Sequence, residues 1–387
     1  MRDKGISISG VGVVSGYGWG REIFWEGLCS GKPAARYLTG YGDTADDFAW
    51  LALVPEGGDP DDGDGLFSRA FLAAGREAVA DACTRGWKPK GNVGLVHVSI
   101  FNDMAGSRAF HRNGAGRSRD FVRTFPSTPA AMFMHEFGFH GPSLMVSATC
   151  SSTNNALMVA KHWMQTETVD DVVVVAADLS FTPEVVAGFT RMGASVIDIE
   201  PLDACRPFQD GGRGFPPGEA AVGLVLSTTT VEGYATLLGG SMTSDAFHPT
   251  GMDPSHTEIV RCVSEALVDS GITAADVRYL NAHGTGTAQC NAAEIDVLER
   301  VFGTEQPLIY ALKPLIGHCL ASAGGVELAA GVMAYERGIV PAARIVSKAH
   351  PRLLDGVTPF VGGATLKTSM GMGGYNSAIV IGPAKAA

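Results

Sequence analysis

Nowhere in this chain do apolar residues run for the ~20 positions that a membrane-spanning helix needs. Apolar runs such as Val172 to Ala177, extended at most to Leu179 past Asp178, are far shorter, so no transmembrane segment is expected. Cysteine is sparse: seven residues, at positions 29, 83, 150, 205, 262, 290 and 319, odd in number and never spaced as Cys-x-x-Cys. That excludes a disulfide framework and signals no zinc site. Charged residues make up only 18%, and 29 basic against 40 acidic side chains leave a net charge of −11, which argues against general affinity for nucleic acid. No secretory signal is visible either. Met1-Arg-Asp-Lys precedes Ile6-Ser-Ile-Ser-Gly, an early acid and a glycine-broken apolar stretch that read as a strand, so a cytoplasmic protein is expected.

What is abundant is glycine, 50 of 387 residues, against a usual share of about 7%. No Gly-x-y period accompanies it, which excludes collagen, and 45% hydrophobic residues exclude disorder. The chain is long enough for a large core or two fused half-cores. Two charged runs stand out: eight acids between 43 and 64 (Asp43, Asp46, Asp47, Glu56, Asp59, Asp61, Asp62, Asp64), and five arginines between 108 and 123 (Arg108, Arg112, Arg117, Arg119, Arg123). A solvated loop is the plain reading of both.

Short β-branched runs alternate with helix-length amphipathic stretches. They begin at Ile6–Val13, Val93–Ile100, Leu144–Ser147, Val172–Ala177 and Ala220–Leu226, and a second series starts near Ala235 and closes at Asn376–Ile381. That rhythm predicts a mainly parallel sheet with covering helices. It divides the chain into halves of similar pattern, 1–230 and 235–387, with no linker between them.

Cys150 falls where the apolar run Leu144-Met-Val-Ser-Ala-Thr passes into a helical pattern, Ser152–Met164, with Ser151 and Ser152 suited to the cap. The positive end of a helix dipole favours a thiolate and so a nucleophile. A buried structural cysteine is the alternative. In the second half, Asn281-Ala-His283-Gly-Thr285-Gly-Thr287 and Leu312-Lys313-Pro-Leu-Ile-Gly-His318 each follow a strand, where α/β proteins build sites. Two histidines, a lysine and two threonines at successive strand ends make a site with Cys150 the better reading.

These residues resemble the β-ketoacyl synthases, the acyl-carrier-protein-dependent, Cys-His-His branch of the thiolase (condensing-enzyme) superfamily, over nearly the whole chain. The opening Ile-Ser-Gly-Val-Gly-Val-Val-Ser, Thr149-Cys-Ser-Ser, Cys205-Arg-Pro-Phe, Gly218-Glu219, His283-Gly-Thr-Gly-Thr, Gly317-His318, Gly324 with Glu327, and Gly371-Met-Gly-Gly-Tyr-Asn376 stand in the family's order. The resemblance implies an α/β, thiolase-like fold, a five-layered α-β-α-β-α body of two related halves. It implies that Cys150 takes an acyl group, that His283 and His318 face the extender unit, and that Lys313 supports them electrostatically. Backbone N–H groups of Cys150 and Met372 would form the oxyanion hole, Thr285 and Thr287 would contact a pantetheine arm, and Glu219 would be a buried supporting acid. The reaction would be a decarboxylative Claisen condensation with malonyl-acyl carrier protein, with no metal or cofactor beyond the carrier's phosphopantetheine. An acyl carrier protein is then the expected partner. The chain would pair with itself or with a ketosynthase-like homologue, and the arginines at 112, 117, 119 and 123 become candidates for carrier docking.

Several positions depart from the family pattern. Met372 stands where a phenylalanine gate between acyl pocket and cysteine is usual, Tyr375 replaces a small threonine, and Leu312, Ala288, Asn291 and Arg213 also differ. Met372 and Tyr375 are therefore the candidate pocket gate, and a specialised polyketide or secondary-lipid synthase is the expectation. The rival is a ketosynthase-like acyltransferase that passes the acyl group to an amine or alcohol without decarboxylation.

Overall fold

Runs of valine, isoleucine, leucine and alanine too apolar to face water form ten principal strands in the computed structural model, which describes residues 5–41, 47–63, 65–113, 118–229 and 232–384. Asp43, Asp46 and Asp64 of the acidic run lie outside the described residues. The first half supplies β1 (Ile6–Ser15), β2 (Val93–Val98), β3 (Ser143–Val146), β4 (Asp171–Asp178) and β5 (Ala220–Ser227). The second supplies β6 (Ala235–Ser244), β7 (Val277–Asn281), β8 (Leu308–Tyr310), β9 (Ala364–Gly371) and β10 (Tyr375–Pro383). Every residue of β2, β4 and β5 is buried. Strands covered on both faces read as continuous apolar runs without alternation.

The first five strands lie side by side in the order β3-β2-β4-β5-β1, and the second five in the order β8-β7-β9-β10-β6. The two orders are the same when each set is counted from its own start. Where they meet, Ile6–Ile8 of β1 pairs antiparallel with Ala235–Leu237 of β6. The expectation of a mainly parallel sheet is corrected. The first three strands of each order run parallel, but every other pairing is antiparallel. The turn 372–374 between β9 and β10 shows why, since so short a connection can only return the chain antiparallel.

Five helices complete the layers: α1 (Leu66–Thr84), α2 (Ser152–Gln165), α3 (Thr257–Asp269), α4 (Ala288–Val297) and α5 (Ala323–Arg337). Helix α1 covers the outer face of the first strand set with Phe71, Ala74 and Ala78. Helices α3 and α4 cover the outer face of the second with Cys262, Ala266 and Ala293. Between the two strand sets lie α2 and α5, whose Ala156, Ala160, Val326 and Ala330 share one core with strands of both halves. Small side chains and close glycines let these central helices approach the strands. The sequence of layers is α-β-α-β-α. Among the described residues no helix is long and apolar enough to cross a membrane.

Candidate active site

Cys150 sits at the strand-to-helix turn between β3 and α2, buried, with its preceding residue Thr149 at φ 49°. The serines do not cap the helix as expected. Ser151 Oγ donates to the carbonyl of Ala148 at 2.8 Å, and Ser152 Oγ accepts from the Ala148 N–H at 2.8 Å while donating to the carbonyl of Thr149 at 2.6 Å. The hydroxyls therefore tie the turn itself, which holds the sulfur at a fixed height above the helix.

The β9–β10 turn packs over this point. Thr149 Oγ1 donates to the Met372 carbonyl at 2.9 Å, and a Cβ on Gly371 would lie 2.1 Å from Thr149 Oγ1, so only glycine fits there. Burial pushes the Cys150 thiol up to about 11, against the opposing pull of Lys313 and of the backbone N–H groups of Met372 and Cys150. Desolvation of the charged sulfur is the largest of these effects and favours the thiol at rest.

His318 follows the Lys313–Ile316 helical turn and enters at Gly317, whose φ of 72° lets the chain pass Gly218. Its backbone N–H donates to Pro216 and its carbonyl accepts from Gly218, which fixes the ring beside the first half. His318 Nε2 lies 3.1 Å from Cys150 Sγ. The Leu320 backbone N–H donates to His318 Nδ1 at 3.2 Å. A peptide N–H can only donate, so the neutral ring carries its proton on Nε2.

His283, at the end of β7, stands with its ring centroid 5.5 Å from that of His318. Lys313 Nζ approaches His283 Nδ1 at 3.4 Å and donates to the His283 carbonyl at 2.5 Å. An ammonium has no acceptor, so this ring too carries its proton on Nε2. Both imidazoles are held well below the usual histidine range, first by burial and then by the charge of Lys313. Two neutral rings, each with Nδ1 occupied by a donor, therefore stand together, with His318 presenting its N–H beside the sulfur.

The turn carrying His283 is held from behind. Glu294 of α4, buried, accepts from the His283 N–H at 2.7 Å, the Gly284 N–H at 2.9 Å and Thr368 Oγ1 at 3.0 Å. Lys313 is fully buried and pairs with Glu327 of α5 at 2.7 Å. Burial works against the Lys313 charge, yet Glu327 more than offsets it and the ammonium is held above its ordinary value. Glu219 accepts from the N–H groups of Val54 and Phe181, each at 3.2 Å. Burial, with Asp178 adding like charge, pushes it up to about 8.

Cys150, His283 and His318 line a cavity of about 700 Å³ with Thr285, Thr287 and Met372. The two threonine hydroxyls are 3.0 Å apart, and Thr287 also caps α4 through the Cys290 N–H. Met372 packs with Phe189 and Leu320, which line the same cavity. Tyr375 does not join them. It begins β10 with its side chain 43% exposed, because strand alternation turns Asn376, not Tyr375, toward the cavity.

Of the arginines, Arg112 is exposed at the end of the helix Met104–Asn113, and Arg123 ends the helix Ser118–Arg123. Arg117 and the side chain of Arg119 lie outside the described residues. Arg108 pairs with Glu184 at 2.7 Å, on a helix, Pro183–Arg191, whose Phe189 lines the cavity.

Sequence reasoning missed Glu294, Leu320, Phe189 and Lys367 and gave Glu327 no role. A charged side chain inside an otherwise uncharged strand, Ala364–Gly371, is the signal that could have found Lys367. Glu294 stands on the buried face of a helix and carries no comparable local sign. Among the described residues, no three or more His, Cys, Asp or Glu side chains gather where they could hold a metal ion.

Two halves of one family description match the chain: "Beta-ketoacyl synthase, N-terminal domain" over residues 65–231 and "Beta-ketoacyl synthase, C-terminal domain" over residues 234–346. The tetracenomycin polyketide synthase ketoacyl synthase alpha subunit of Streptomyces glaucescens is 29% identical, over 98% of this chain and 97% of that one. Nodulation protein E of a Rhizobium species is 28% identical over 97% and 98%. In fold, the chain is similar at a TM-score of 0.86 to a type II polyketide ketosynthase solved with its acyl-carrier protein, with 22% identity over 98% of this chain and 99% of that one.

Proposed function

Because the chain belongs to the β-ketoacyl synthase family, we propose that it is a discrete, type II ketosynthase that carries out decarboxylative Claisen condensation on carrier-bound thioesters. The observation that carries this reading is the pair of neutral imidazoles, His283 and His318, whose Nδ1 atoms are occupied and whose rings line one cavity with Cys150, His318 Nε2 lying beside the sulfur.

The steps follow from that geometry. The Cys150 sulfur attacks an acyl thioester as its proton passes through water to the departing carrier thiolate, and the tetrahedral oxyanion is stabilised by the N–H groups of Cys150 and Met372. The carrier thiol leaves. A malonyl thioester then enters, its carboxylate carbon–carbon bond breaks, carbon dioxide departs, and the electron pair passes to the thioester oxygen as an enolate. Nε2–H groups of His283 and His318 stabilise that oxygen. The enolate carbon attacks the acyl carbonyl on Cys150, the carbon–sulfur bond breaks to leave a Cys150 thiolate that takes a proton from water, and the β-ketoacyl thioester leaves on its carrier. No metal or redox cofactor takes part in these steps.

Thr285 and Thr287 line the route a pantetheine arm would take. Glu219 supports the loops at Val54 and Phe181, and Met372 with Phe189 and Leu320 shapes the acyl end. A thioether in place of an aromatic gate supports a specialised polyketide or secondary-lipid substrate. An acyl carrier protein docks on the arginine insert, Arg112, Arg117, Arg119 and Arg123, which is joined to the cavity mouth through Glu184. The open edge strand β3, with Leu144 exposed, supports pairing with a second copy or a ketosynthase-like homologue in the cytoplasm.

Carbon dioxide release from malonyl-acyl carrier protein tests the reading. Wild type should release it at a rate that His283→Ala lowers by roughly 10²-fold or more, the scale of losing one oxyanion donor. No release from wild type, together with acyl transfer to an amine or alcohol, would establish the acyltransferase instead.

A further inference from the structure

Behind the two histidines lies a second lysine. Lys367 of β9 is fully buried, and its Nζ is 2.7 Å from Glu327 Oε2, while Lys313 holds Oε1 of the same carboxylate at 2.7 Å. One carboxylate thus faces two ammonium groups in a site without solvent. A Lys313–Glu327 pair by itself would be neutral. With Lys367 the Glu327 carboxylate is shared between two ammonium groups, and the buried Glu294 carboxylate also acts on Lys367, all behind the His283 turn.

The remaining donors of Lys367 are spent on the backbone. They reach the carbonyls of Thr368 at 2.8 Å, Ala282 at 3.2 Å and Asn281 at 3.5 Å. Asn281 and Ala282 are the two residues that lead into His283, and the neighbouring Thr368 Oγ1 accepts from the His283 N–H at 3.1 Å. One lysine therefore grips the approach to His283 and neutralises the carboxylate that would otherwise cancel Lys313. A buried Lys is costly unless paired and hydrogen-bonded, and a purely structural strand position would be filled by valine or leucine.

We propose that Lys367 is a positioning residue for decarboxylation, fixing the His283 turn and sharing the Glu327 carboxylate with Lys313 so that the Lys313 charge is not fully cancelled beneath the histidines. It touches neither substrate nor sulfur, and it acts through Glu327, Lys313 and the His283 turn. The proposal rests on the condensation reading, so it is tested only against a wild type that releases carbon dioxide. Failure of that control would overturn the condensation reading and not the role of Lys367 within it.

Two partial reactions separate a positioning role from a structural one. Acylation of Cys150 by a small thioester depends on the Thr149–Met372 contact, which Lys367 does not touch, and carbon dioxide release depends on His283. Lys367→Met removes charge and donors, and Lys367→Gln removes charge but keeps a donor for the Ala282 carbonyl. Both variants should acylate Cys150 within a few-fold of wild type. Lys367→Met should lose about 10²-fold in carbon dioxide release, on the scale of a removed transition-state donor, and Lys367→Gln should fall between it and wild type. Because Lys367 is one of the charges that hold both imidazoles unprotonated, the acid limb of the carbon dioxide release profile should also move to higher pH in both. Equal loss in the two reactions, an unmoved acid limb, or no acylation in either variant would make Lys367 a folding residue and overturn the proposal.

Discussion

At Glu219 a carboxyl group is kept from water by two loops, each donating one peptide N–H to it. Its ordinary value is 4.5, and burial raises it to about 8 in the fold. The folded protein therefore holds a proton that the unfolded chain releases between those values, and the contribution of this group to stability is full below about 4.5 and lost as pH rises through about 8. Glu219→Gln removes the titration while keeping an acceptor for the N–H groups of Val54 and Phe181. Thermal unfolding of the two proteins should show the variant gaining on wild type steadily from pH 5 to pH 8.5. A constant difference across that range would show that Glu219 is not the group being titrated. Cys150 illustrates the same physics at the nucleophile. Its burial lifts the thiol to about 11, so reactivity comes from the donors that receive charge as it forms, and a resting thiolate contributes little.

The turn 372–374 between β9 and β10 controls the site at the next scale, because it brings the Met372 N–H to the sulfur while Gly371 passes over Thr149. Gly371→Ala places a Cβ against Thr149 Oγ1 and must lift the turn or rotate Thr149. Overpacking of this kind costs about 1–3 kcal/mol. The expected outcome is a melting temperature lower by several degrees and Cys150 acylation slowed at least tenfold, read by mass spectrometry of the acylated enzyme, and wild-type acylation would show that the turn is free to move. How much of this was legible in the sequence differs by element. Strands β4 and β5, helices α2 and α5, and the two histidine loops announce themselves through unbroken apolar runs and glycine punctuation. Helix α4 begins at Ala288, earlier than its apolar pattern at Ala292 suggests, because Thr287 caps it. Strand β9 carries Lys367 in its middle, and α1 presents long polar side chains among its apolar ones, so neither stands out from local pattern. The short turn 372–374 signals the antiparallel β9–β10 pair locally, but the antiparallel joins of β1 with β5 and β6 link residues more than two hundred apart, and no local signal carries those.

For the whole molecule, a net charge of −11 opposes approach by another acidic protein, except where the arginine insert reverses the local sign. Replacing Arg112 and Arg119 together by glutamate should raise the apparent KM for a carrier-bound substrate about tenfold or more at low salt. Acylation by a small free thioester should be unchanged. An unaltered KM in steady-state assays would move the docking face elsewhere. The shared strand order also explains the division of labour at the site. The third strand of the first half leads to the sulfur, and the second and third strands of the other half lead to His283 and to Lys313 with His318. Finally, the seam in which Ile6–Ile8 meets Ala235–Leu237 bears on how the chain emerges from a ribosome. The neighbours on both sides of β1, β5 and β6, follow it by more than two hundred residues. At roughly 5–20 residues per second, β1 waits on the order of ten seconds or more for both of them. During that interval the valine-rich β4 is synthesised too, with no β5 to cover its edge. Production of this protein is therefore expected to be limited by shielding of the nascent chain, through slower initiation or holding chaperones, more than by the stability of the finished fold.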